Sequence, residues 1–138
     1  MKKFSAVVLC VALFCTLLCT AVSASTQSSD FFRRYEGTLY EGNSCGTLQV
    51  TLNANTYDSA NSLGVSQIRV YKSNGTYVKT ITGTYANGLL SSGRTYSNTY
   101  TISAVAGEHY YLELTFIARD SSGSDYKTYT TNTAMAAA

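Results

Sequence analysis

The chain has 138 residues, with ten Lys+Arg, eight Asp+Glu, four Cys, one His and twelve Tyr, and it lacks Pro and Trp. A charge balance this close excludes the dense cation set that nucleic-acid binding needs to displace phosphate counterions. With three of the four cysteines in the leader that opens the chain, one Cys and one His are too few for a zinc site built from several such ligands.

The opening stretch "MKKFSAVVLCVALFCTLLCTAVSAS" has the order of a secretory leader. Lys2 and Lys3 form a basic start, Ala6–Leu18 an apolar run, and Val22-Ser23-Ala24 a small-residue cleavage site. Residues 1–24 are read as a signal peptide cleaved after Ala24, which makes the product secreted. An uncleaved anchor is the competing reading, because Phe4–Val22 approaches the roughly 20 apolar residues that a bilayer requires. The residues before Cys10, Cys15 and Cys19 are Leu9, Phe14 and Leu18, too bulky for a lipidation box. The short lysine start resembles bacterial export signals. Loss of the leader removes Lys2, Lys3 and three cysteines, leaving eight cations against eight anions and Cys45 alone. No intrachain disulfide is then possible, and no polybasic patch remains to hold a membrane.

Residues 25–36 read as a polar lead-in, and "FFRRYEGTLYEG" holds a first, edge strand. "GTLQVTLNA" alternates, with Leu48, Val50, Leu52 and Ala54 on one face, the mark of a half-buried strand. "NTYDSANSLG" follows as a loop. "IRVYKSNGTYVKTIT", Ile68–Thr82, reads as a hairpin with Asn74-Gly75 supplying the positive φ angles of its turn. A two-residue turn would set Lys72 against Tyr77 and Val70 against Lys79. A four-residue loop over Lys72–Gly75, or a bulge near Val78, would adjust that register. Ala86–Asn98 is the longest irregular segment. "TYTISAVAG" and "HYYLELTFIAR" are strands, the second with Tyr110, Leu112, Leu114, Phe116 and Ala118 on one face. "DSSGSD" makes a turn, "YKTYTTNT" closes the sheet, and residues 133–138 form a frayed tail. The spacing predicts an all-β fold: an antiparallel two-sheet sandwich of about seven strands over residues 37–132.

The hairpin Ile68–Thr82 resembles the central hairpin of immunoglobulin-like domains in secreted bacterial proteins. "AVAGEHYYLELTF" is similar to the corner of fibronectin-III-like domains. The resemblance implies that Tyr110 is a corner tyrosine whose hydroxyl bonds back to nearby backbone. The chain departs from the pattern at Ala106, where such corners often carry Pro, and in having no core Trp or Cys pair. The likeness concerns fold and lends little to function.

Catalytic and metal chemistry finds thin support. His109 and Cys45 are the one imidazole and the one remaining thiol, and the sequence does not bring them together. Asp120 and Asp125 around Gly123 are a weak calcium candidate, without the spacing of a helix–loop–helix calcium site. No phosphate loop, dinucleotide fingerprint or nucleophile elbow occurs, and no cofactor is implied. Thr-Tyr recurs at irregular intervals, which is strand composition and not a repeat. "NGT" at Asn74 matches a glycosylation sequon, but turn geometry explains the Asn-Gly pair.

Tyrosine is the positive signal. An exposed Tyr offers wide contact area and a hydroxyl at low entropy cost, which suits protein or glycan ligands. The candidate binding residues are Tyr85, Leu89, Leu90, Arg94, Tyr96 and Tyr100, on the Ala86–Asn98 loop and its flanks. The expected function is a secreted, non-catalytic binding or interaction module. The alternative is an assembly-forming or toxin-like β protein, since a Pro-free chain has no proline to guard its strand edges. A small hydrolase is the third reading.

Overall fold

Residues 30–138 are described by the computed structural model. The leader, its cleavage site and the start of the lead-in lie outside the described residues. Seven strands follow: β1 (Phe32–Glu41), β2 (Thr47–Lys72), β3 (Tyr77–Thr82), β4 (Leu90–Ser103), β5 (His109–Asp120), β6 (Gly123–Thr130) and β7 (Ala134–Met135). Every pairing is antiparallel, and the strands belong to one curled sheet. The all-β, seven-strand expectation holds.

β2 organises the molecule. Its first half, Thr47–Thr56, lies between β1 and β4, and its second half, Ser62–Lys72, lies between β5 and β3. Leu48, Val50, Leu52 and Ala54 all point into the core, as their alternation predicts. The stretch "NTYDSANSLG" is no loop, which corrects the sequence reading. It is the bend that carries β2 from one half of the sheet to the other, and the register against β4 shifts there twice. Ala60 and Leu63 stay buried through the bend, and the buried Thr56 hydroxyl donates to Asp58 O at 2.7 Å. Gly64 has φ 147°, and a Cβ there would sit 2.1 Å from Leu89 O. That close approach permits the bond from Val65 N–H to Leu89 O at 2.7 Å.

Ala86–Asn98 is likewise mostly strand. β4 begins at Leu90, and only residues 83–89 remain irregular. The alternation is hidden because the register slips where Gly93 meets Ala60. The Ile68–Thr82 hairpin forms, with its register adjusted at the site expected. Val70 pairs with Lys79 and Tyr71 with Tyr77, so Val78 is an extra, bulged residue. Gly75 N–H bonds to Lys72 O and Lys72 N–H to Thr76 O. Only Gly75 has positive φ, at 90°; Asn74 does not. The turn is therefore a three-residue loop ending in left-handed glycine, not a two-residue one.

On the far side, Asn132 closes the curl. Its side-chain Oδ1 accepts from Leu39 N–H at 2.9 Å and its Nδ2 donates to Leu39 O at 2.8 Å, in the manner of a neighbouring strand. The tail is not frayed, another correction. β7 pairs with β5, Gly46 N–H bonds to Ala137 O, and Ala137 N–H bonds to Thr47 O. Ala136 is fully buried. Alanine is too small for its burial to show as an alternating pattern.

The core is continuous. Tyr110, Leu112, Leu114, Phe116 and Ala118 of β5 meet the inward residues of β2, and Phe32, Tyr35 and Phe116 pack ring against ring. Burial of these side chains supplies the main driving force, with no disulfide among the described residues to assist it. Tyr110 is buried, and its hydroxyl accepts from Val105 N–H at 3.0 Å. No buried side-chain polar atom lacks a partner among the described residues.

Candidate binding surface

The six candidate residues do not form one exposed patch. Leu89 and Tyr96 are buried in the core. The Tyr96 hydroxyl donates to Gly88 O at 2.9 Å, and burial pushes its phenol above the ordinary 10.0. Tyr100 is half-buried against the core and Leu90 is half-buried beside Gly64. Tyr85 and Arg94 are exposed, but the Tyr85 hydroxyl is already held by Asn61 O at 3.0 Å and by the Ser62 hydroxyl. Two members of the set thus serve the core: Tyr96 on the inward phase of β4, and Leu89 at the end of the irregular stretch before it.

The metal candidate is not assembled either. Asp120 accepts from the Ser122 and Gly123 N–H groups, and its hydrogen bonds with Ser122 hold the carboxyl below the usual carboxylate range. Asp125 turns instead to Phe31 N–H at 3.0 Å. His109 is exposed at a shallow cleft beside Lys72 and Glu108. Lys72 Nζ donates to Glu108 at 3.0 Å, and this bond holds the ammonium more firmly protonated. Cys45 is exposed in the β1–β2 loop. Among the described residues, no group of three or more His, Cys, Asp or Glu converges.

The structure gathers a different set of tyrosines. The outer face of β3, β2 and β5 carries Tyr77, Tyr71 and Tyr111 as direct cross-strand neighbours. Tyr71 and Tyr111 stack with centroids 5.3 Å apart and planes 9° apart, and Tyr77 meets Tyr71 at 5.8 Å and 69°. The flanks of the Tyr71 ring are thereby covered on two sides, and the Tyr77 hydroxyl shares a hydrogen bond with the Thr80 hydroxyl at 2.6 Å. Tyr77 is 54% exposed. The next row is Thr80, Arg69, Glu113 and Thr130, with Arg69 and Glu113 at 3.7 Å. Beyond it lie Thr82, Gln67, Thr115 and Thr128.

Such a face follows from the period-2 pattern. Arg69 and Tyr71 occupy the phase opposite the buried Ile68 and Val70, and Tyr111 and Glu113 the phase opposite Leu112 and Leu114. Sequence reasoning missed it because Val78 shifts the phase of β3. Placing the bulge before assigning the faces would have brought Tyr77 beside Tyr71.

No protein-family model and no curated protein sequence matches the chain. Among solved structures it is similar to a family 76 glycoside hydrolase from a bovine Bacteroides thetaiotaomicron strain, at 17% identity and a TM-score of 0.44. The alignment covers 75% of this chain and 20% of that enzyme, so the chain spans about a fifth of the length of the protein it matches. A likeness this loose lends no activity. The resemblance to immunoglobulin-like and fibronectin-III-like domains is corrected: no such domain is matched, and β2 runs unbroken through both halves of one curled sheet.

Proposed function

We propose that this chain is a secreted, non-catalytic binding module whose recognition surface is the outer face around Tyr71, Tyr77 and Tyr111. The contiguous tyrosine row carries the reading: three aromatic side chains share an exposed face without serving the core. Tyrosines held by their neighbours lose little entropy on binding, and that favours them as anchors. The stacked arrangement offers ring edges, with the hydroxyls of Tyr71 and Tyr111, more than open ring faces. This supports a protein partner with backbone and side-chain acceptors over a sugar ring lying flat on an aromatic platform.

The test compares the wild-type protein with Tyr77→Ala and Tyr111→Ala, using cross-linked capture of surface and secreted proteins in parallel with an oligosaccharide array. The expected result is a defined protein partner whose affinity falls about tenfold or more, roughly 1.4 kcal/mol, in each variant. Equal binding by both variants, or a ligand found only on the sugar array, would overturn the reading.

A further inference from the structure

β4 has an open side. Among the described residues its ladder bonds go to β2 alone, and other backbone bonds reach it only at its start, where Leu90 N–H meets Thr84 O. An open edge of this length is a template for another strand unless something guards it. The other edges are guarded. β1 is clamped at Leu39 by Asn132. β6 has Asp125 and Lys127 turned toward the start of β1, the first bonding Phe31 N–H and the second pairing with Asp30. β3 is short, and its Lys79 occupies the inward phase opposite Val70, a device that discourages pairing.

Between Thr95 and Ser103, β4 carries no charge and no proline. Its outward residues Thr95, Ser97, Thr99 and Thr101 are all exposed. Lys79 Nζ donates to Ser103 O, which takes that carbonyl out of use and leaves Thr95–Thr101 as the open stretch. This stretch is compatible with itself. In antiparallel pairing about a two-fold axis at Asn98, Thr95 faces Thr101, Ser97 faces Thr99, and Tyr96 faces Tyr100. Thr–Thr and Thr–Ser neighbours and aromatic pairs are favourable across strands. The two copies of Arg94 would then stand eight residues apart, about 27 Å at the rise of an antiparallel strand, so like charges do not meet.

The geometry points to a second copy of this chain as the occupant of the β4 edge, joined by antiparallel pairing of Thr95–Thr101 about Asn98. The dimer continues each β1–β2–β4 layer into a six-stranded one. It uses none of the tyrosines of the outer face, so it stands or falls independently of the binding reading.

Sedimentation of the purified protein across a concentration series, with hydrogen exchange of residues 95–101, provides the measurement. Wild type is expected to shift from monomer to dimer as concentration rises, with amide protection at 95–101 rising in step. Combined Ser97→Lys and Thr99→Lys sets lysine opposite lysine and is expected to weaken dimerisation about tenfold or more. Combined Ser97→Lys and Thr99→Glu sets opposite charges face to face and is expected to restore it. Tyr77→Ala is expected to dimerise like wild type. A wild type that stays monomeric at its highest soluble concentration overturns the proposal. So does a double-lysine variant that dimerises normally, or a lysine–glutamate variant that fails to recover.

Discussion

Tyr96 shows how one side chain can look like a ligand contact and act as a core residue. Its ring is buried and its hydroxyl bonds to Gly88 O, so only the neutral phenol suits the site. Burial raises the folded-state pKa above the unfolded one. The stabilisation is therefore intact below the ordinary value of 10.0 and is lost as pH rises through the higher folded value. An ultraviolet titration is expected to show a late-ionising phenol that Tyr96→Phe removes. At neutral pH the same variant is expected to lose about 1 kcal/mol with its hydrogen bond, read from urea denaturation. A late step that survives Tyr96→Phe would place that phenol elsewhere.

At the scale of elements, legibility followed the flatness of the strand. Leu48–Ala54 and Tyr110–Ala118 have one buried and one exposed face over several residues, so alternation shows their faces directly. The bend at Thr56–Asn61 changes which partners flank β2, and its pattern breaks there. The candidate site suffered the same way. The inward phase of β4 was concealed by the shift at Gly93, and the row Tyr77–Tyr71–Tyr111 by the bulge at Val78. Asn132 had no sequence signal at all, because its role depends on a backbone more than 90 positions away. Replacing it with Ala removes a donor and an acceptor from Leu39. Since Asn132 itself is exposed, water can satisfy part of the loss, and the expected cost is about 1 kcal/mol. Asn132→Asp keeps only the acceptor and is expected to fall between Ala and wild type. Thermal melts of the three proteins check the order.

The whole molecule hangs on β2. No part of the sheet is independent of it, since β1, β3, β4 and β5 all pair along its length and β6 and β7 pair with β5. Its two halves feed one hydrophobic cluster. Unfolding is therefore expected to be a single transition, with near-ultraviolet and far-ultraviolet circular dichroism giving the same urea midpoint. Two separated midpoints would show that the halves melt as independent units.

The contact of residues 136–137 with the loop before β2 also has a meaning in time. A polypeptide emerges from its amino end, whether from a ribosome or through a membrane pore. Gly46 and Thr47 appear early, yet the partner of Gly46 N–H, and one of the two donors to Thr47 O, belong to Ala137, about ninety positions later. The chain can pair its early strands while it is still being delivered, but it cannot fasten them. A nascent chain stalled just short of Ala134 would be left without β7, with Gly46 N–H still unfastened.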